Sequence, residues 1–169
     1  MKVNKEIIDL LSSDSEELIL KGVEILRSTG NCKHIPDLIK LLRESNNSLI
    51  RKSIKELIFD IKDTDSIPYI VEEICNKDNK EELNTLVSAC WQTGLNFSDH
   101  MKIFAQCFVT ENFEVSIEAF TVIETHILDQ KLSKENIDGL IKIFKSSSSK
   151  IAIEKRSLYE ELLYTLTNS

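Results

Sequence analysis

The feature that most constrains this chain is a dipeptide that recurs at the head of an apolar helical run. Ile35-Pro36 opens one such run, and Ile67-Pro68 opens another 32 residues later. Self-similarity at that spacing marks helical pairs stacked side by side, each unable to bury its apolar face without a neighbour. The segments between agree. Leu18, Ile19, Gly22, Val23 and Leu26 superpose on Leu49, Ile50, Ser53, Ile54 and Leu57 at an offset of 31. Leu83, Leu86, Val87 and Cys90 follow, then Val115, Ala119, Phe120 and Ile123. Positions spaced i, i+1, i+4, i+5, i+8 make one apolar helix face. Gly22, Ser53 and Ala119 are small enough to let neighbouring helices approach; Leu86 departs from that pattern.

A period of 3.6 residues runs from end to end and predicts ten helices. They cover about 4–11, from Asp14 or Ser15 to 28, 35–43, from the Asn46-Asn47-Ser48 cap to 61, and from Asp65-Ser66 to 76. The rest run from Asp78 to 94, from Ser98 to 109, from Glu111 or Asn112 to 128, from Ser133 to 145, and from a polar linker at 146–149 to 166. Gly30 closes the second helix, and Pro36 and Pro68 sit in first turns, where a missing N–H costs least. Only four Gly and two Pro occur in 169 residues, which disfavours a turn-rich β fold. With connections this short, consecutive helices are expected to pack antiparallel in a single domain spanning 1–169.

Charge narrows the partners. A formal net charge of −7 argues against general nucleic-acid binding, which needs a clustered basic surface, and suits a protein with a basic surface. No apolar run approaches the roughly 20 residues that span a bilayer, and the amino-terminal apolar residues are interrupted by Glu6 and Asp9, so neither a membrane span nor a secretion signal is expected. Cys32, Cys75, Cys90 and Cys107 are widely spaced, without a C-x-x-C pair, and read as thiols of a reducing compartment; the expected location is the cytoplasm.

Residues 14–95 resemble the HEAT repeats of short bacterial type. Asn47, Ile50-Arg51 and Ser53 match the first part of that repeat, a capping residue followed by an apolar-Arg pair and a small residue. Thr29-Gly30 and Ile35-Pro36-Asp37-Leu38 match the second, a Gly turn before an Ile-Pro-x-Leu helix. Repeats four and five lack the Pro, and the fourth also lacks the Arg. The resemblance implies an all-α fold, a right-handed α-solenoid of about five antiparallel helical pairs of the ARM/HEAT superhelix type, with second helices lining its concave face. Such signatures specify a fold better than a function.

Catalysis finds little support. There is no G-x-S-x-G, no Gly-rich phosphate loop and no H-E-x-x-H, so no catalytic residue and no cofactor is assigned. Cys32 and His34 lie two apart on a turn, but no second ligand pair accompanies them, and they read as surface turn residues rather than a metal site. His100 is expected to be solvated, and His126 to sit at a helix end. Cys90 falls on the apolar face and reads as core. Trp91, one step off that face, either seals the groove between repeats or contacts a partner. The last helix, with Leu158, Leu162, Leu163 and Leu166, either caps the array or pairs with a second copy.

The exposed ridge of the second helices supplies the candidate site. Superposition gives stacked rows Lys21, Lys52, Thr85, Glu118; Glu17, Ser48, Glu81, Glu114; and Glu24, Lys55, Ser88, Thr121. The partner-binding set is therefore Lys21, Glu24, Arg51, Lys52, Lys55, Thr85, Ser88, Trp91, Glu114, Glu118 and Thr121. Its amino-terminal part is basic and its carboxy-terminal part acidic. The expected function is a non-catalytic scaffold or adaptor binding another protein. Alternatives are a bacterial immunity or antitoxin protein covering a basic toxin and, more remotely, a HEAT-like DNA glycosylase or bilin lyase.

Overall fold

The computed structural model describes residues 2–168, which are all-α, with no strand among them. Ten helices form: α1 Lys2–Leu11, α2 Glu16–Thr29, α3 Ile35–Glu44, α4 Ser48–Phe59, α5 Ile67–Cys75, α6 Leu83–Gln92, α7 Met101–Thr110, α8 Phe113–Leu128, α9 Lys134–Ser147 and α10 Arg156–Thr167. The chain clusters into two compact units, Met1–Thr93 and Gly94–Ser169.

In the first unit, α1 packs on α2, α3 on α4 and α5 on α6. In addition α3 meets α1 and α5, and α4 meets α2 and α6. The core is aliphatic: Val23, Leu38, Ile39, Leu42, Ile54, Ile58, Ile70 and Leu86 are all buried. Where α1 meets α2, a Cβ on Gly22 would come within 3.1 Å of Leu10 Cβ and Leu11 Cδ2, so the small residue permits the close approach. Helix ends follow local chemistry. Gly30 closes α2 in the left-handed region (φ 65), and the Asn47 side chain accepts from the N–H groups of Leu49 and Ile50 at the head of α4.

Three short 3-10 turns, unforeseen in the helical pattern, precede α3, α5 and α6. Each opens on an Asn or Asp side chain that accepts from an N–H two residues on: Asn31 from Lys33, Asp63 from Asp65 and Asn76 from Asp78. The third corrects the expected start of the sixth helix. Asn76 caps a 3-10 turn over Lys77–Asn79, and α6 begins only at Leu83, with Glu82 at its N-cap. The buried Asn79 amide holds that turn, donating to the Glu73 carbonyl at 3.0 Å and side chain at 2.5 Å while accepting from Arg43 at 2.9 Å.

Polar contacts recur at the repeat distance. Asn47 Nδ2 donates to Glu16 at 2.6 Å, Arg51 Nη2 to Glu82 at 2.7 Å and Lys62 Nζ to the Thr93 carbonyl at 2.8 Å, each across 31 positions. Arg27 pairs with Asp60 at 2.5 Å across 33. A side chain in one helical pair thus anchors on the next.

In the second unit, α7 packs on α8 and α9, and α10 on α9 and α8. Its core is aromatic. Phe97 meets Phe104 edge-on at 5.9 Å, Phe108 meets Phe144 at 5.6 Å, and Phe144 meets Tyr159 at 6.2 Å. Asn112 caps α8 through the Val115 N–H, and Ser133 with Asn136 forms a capping box at α9. The carboxy-terminal end of α7 is closed by Lys155, a buried ammonium that donates to the carbonyls of Phe108 and Glu111. Leu162 and Leu166 of α10 are buried, while Leu158 and Leu163 are half-buried.

Candidate functional site

The ridge expected to bind a partner survives only in part, and the reason is packing. In the first unit Lys21, Glu24 and Lys52 are exposed, and Lys55 is half-buried. Glu24 lies 3.6 Å from Arg27 and Lys52 3.8 Å from Glu56, both ordinary helix-surface pairs worth a few tenths of a kcal/mol. Thr85 and Ser88 are corrected: both are buried, because α6 is enclosed over every position from Thr85 to Cys90. The Ser88 hydroxyl accepts from Gln92 inside that packing rather than facing a partner. Arg51, half-buried, is engaged within the unit. Its guanidinium donates to the Leu42 and Ser45 carbonyls and to Glu82, whose side chain is 3% exposed, so it ties three segments of the first unit together. Trp91 is 37% exposed, and Cys90 is buried as expected.

The second unit keeps an open face. On α8, Glu114 is exposed, and Glu118 and Thr121 are half-buried, with the Thr121 hydroxyl donating to the Ile117 carbonyl at 3.0 Å. Phe113 and Ile117 lie to one side of them on the helix, 40% and 39% exposed. The sequence pattern assigned neither residue. The available signal was an apolar pair at i, i+4 placed directly after the Asn112 cap and off the buried row Val115, Ala119, Ile123. Residues of that spacing share a helix face, and so do Glu114 and Glu118. The α8 face is therefore an aromatic-aliphatic pair with two carboxylates along one side. Burial, and then the neighbouring Glu161 carboxylate of α10, push the Glu124 carboxyl above its ordinary range.

His34 and His100 depart from expectation, while His126 sits in the last turn of α8, the helix end foreseen for it. His34 is buried, and its Nδ1 lies 2.9 Å from Asp37 Oδ2, so it turns away from the surface position that a Cys32–His34 site would need. Among the described residues, no group of three or more His, Cys, Asp or Glu side chains converges as metal ligands would. His100 is half-buried in the 3-10 turn ahead of α7. His126 is buried, its Nε2 accepting from the Phe97 N–H at 2.9 Å and its Nδ1 donating to the Val122 carbonyl at 2.8 Å. That pairing fixes the neutral tautomer with the proton on Nδ1.

Burial pushes the His126 pKa below its ordinary 6.5, against the opposing pull of the Val122 carbonyl. Lys131 lowers it further and Asp129 raises it slightly. Because the folded state resists a proton that the unfolded chain accepts, the contribution of His126 is complete above about pH 6.5 and is lost as pH falls through the lower folded value. His126→Gln keeps an acceptor for the Phe97 N–H and cannot titrate. Urea midpoints at pH 7 and pH 5 are expected to fall further for the native chain than for this variant. Equal falls would show that His126 is not the acid-sensitive contact.

No helix among the described residues is long and apolar enough to cross a membrane. No protein-family model matches the chain, and no curated protein matches it.

Proposed function

We propose that this chain is a HEAT-like, right-handed α-solenoid of about five antiparallel helical pairs that acts without catalysis, binding a protein of basic surface through the exposed face of α8. The repeat reading is supported by the alternation of helix contacts within each unit and by polar anchors spaced 31 residues apart. The observation that carries the binding reading is the pair Phe113 and Ile117, exposed and bordered along one side by Glu114 and Glu118. On a solvated helix face such an i, i+4 pair is worth only about 0.2–0.5 kcal/mol, whereas a partner that covers it removes apolar area from water at about 25 cal/mol per Å2. The carboxylates select a basic partner and speed encounter with it.

The test is a double charge reversal, Glu114→Lys with Glu118→Lys, in capture of the partner by the tagged chain. Retention is expected to fall at least tenfold, about 1.4 kcal/mol, with the helical circular dichroism unchanged. Undiminished retention by a folded variant would remove α8 as the binding face.

A further inference from the structure

The open face of α8 extends past Phe113 and Ile117 to the end of the helix. At about 100° per residue, Phe113, Ile117, Glu124 and Leu128 fall within a sector of about 60°. Glu114 and Glu118 lie beyond it, on one side, with Thr121 between the two sets. Leu128 is 71% exposed, so the apolar row runs the whole helix, about 22 Å from Phe113. At that end Leu128 borders a depression of about 490 Å3, lined also by Ile127, Gln130, Leu132, Ile137 and Thr165, without a charged side chain.

The charges on this face have one sign. Glu114, Glu118 and Glu124 stand on α8, which contains no lysine or arginine, and His126 is buried and neutral. The cations next to its ends in sequence or space are engaged. Lys131 pairs with Asp129 at 2.9 Å, and Lys155 is buried against the Phe108 and Glu111 carbonyls. Within the apolar row, ionising Glu124 is opposed by burial and then by the Glu161 carboxylate of α10. Neither of those two has a cation within ion-pair distance among the described residues.

The arrangement in two adjoining rows limits the shape of what covers it. An extended strand turns successive residues to opposite faces and lays a single line of side chains on a surface. A helix presents adjoining rows, because residues three and four apart are neighbours on it. Only the helix sets an apolar row on Phe113, Ile117 and Leu128 and, beside it, a row of cations on the carboxylates.

We propose that α8 docks an amphipathic helix of the partner protein, about four turns long, with lysine or arginine on the row adjoining its apolar stripe. This rests on the reading that α8 binds a protein of basic surface, and adds the form in which that surface meets it.

Two peptides of about 18 residues and identical composition test it. In one, leucines recur at three- and four-residue spacing with lysines on the adjoining row; in the other, leucine and lysine alternate as on a strand. Each is titrated into the full 15N-labelled chain while backbone amide shifts are followed. The helical-period peptide is expected to shift Phe113, Ile117 and Leu128 saturably, at a concentration at least tenfold below the alternating one. Its counterpart with glutamate for lysine is expected to leave those amides unmoved. Ile117→Gln removes apolar area and no charge, and is expected to weaken the helical-period peptide at least fivefold. Leu128→Ser, at a position 71% exposed and so little coupled to the fold, is expected to weaken it at least threefold. Equal binding of the two basic peptides overturns the proposal, because charge alone would then account for the attraction, and leaves α8 standing as the basic-partner face. Shifts confined to helices other than α8, or no saturation by about 1 mM, overturn it too. Failure of the α8 reading itself is seen separately, in undiminished capture of the partner by the Glu114 and Glu118 variant.

Discussion

Arg51→Met is expected to lower the unfolding free energy by about 3 kcal/mol, although the side chain replaced is 31% exposed. The cost arises at the other end of the contact. The Glu82 side chain is 3% exposed, and its carboxylate is held by the Arg51 guanidinium at 2.7 Å. Without Arg51 that charge remains buried with its cation removed, and the Leu42 and Ser45 carbonyls lose a donor. Glu82→Gln is expected to cost less, because it removes the buried charge and leaves the half-exposed guanidinium to water. The double variant Arg51→Met, Glu82→Met is expected to recover part of the single-variant loss, since an apolar pair carries no desolvation penalty. Urea unfolding of the three variants measures all of this. If Arg51→Met loses less than about 1 kcal/mol, the pair is an ordinary surface bridge.

Lys155→Met is expected to cost about 2 kcal/mol, or a fall in melting temperature of roughly 5 °C. The methionine keeps most of the length and apolar stem of the lysine but has no donor. The final carbonyls of α7 have no partner within the helix, and the Lys155 ammonium satisfies those of Phe108 and Glu111 while complementing the negative end of the helix dipole. The Ser116 hydroxyl also donates to the Phe108 carbonyl, at 3.0 Å, which limits the loss. Burial pushes the Lys155 pKa down from its ordinary value, and the Glu154 and Glu111 carboxylates act against that shift. Thermal unfolding followed by circular dichroism decides it: an unchanged melting temperature would mean that water replaces the ammonium without loss.

These two residues show where local sequence pattern stops. Helix existence was legible because caps are local: Asn47, Asn112, Ser133 and Gly30 each act within three or four positions of the helix they bound. The core face was legible because apolar periodicity reports burial directly, as at Val23, Ile54 and Ile123. Arg51, His126 and Lys155 depend instead on partners 31, 29 and 47 positions away, and no local pattern carries that information. Thr85 and Ser88 failed for a related reason. The exposure of Thr85 was inferred from Lys21 and Lys52 and that of Ser88 from Glu24 and Lys55, but α6 is enclosed where α2 and α4 are open. Glu114 was legible as an exposed acid, whereas Phe113 and Ile117 were hidden because an apolar residue in a helix is ordinarily taken to face inward.

The most direct test of the binding reading is carboxyl footprinting. The captured partner is added back to the chain, exposed carboxylates are coupled to an amine with carbodiimide, and the sites are read by mass spectrometry. Modification of Glu114 and Glu118 is expected to fall several-fold in the complex, with Glu17 and Glu56 unchanged. Equal modification of Glu114 and Glu118 with and without the partner would contradict the account, because α8 would then remain open to water in the complex.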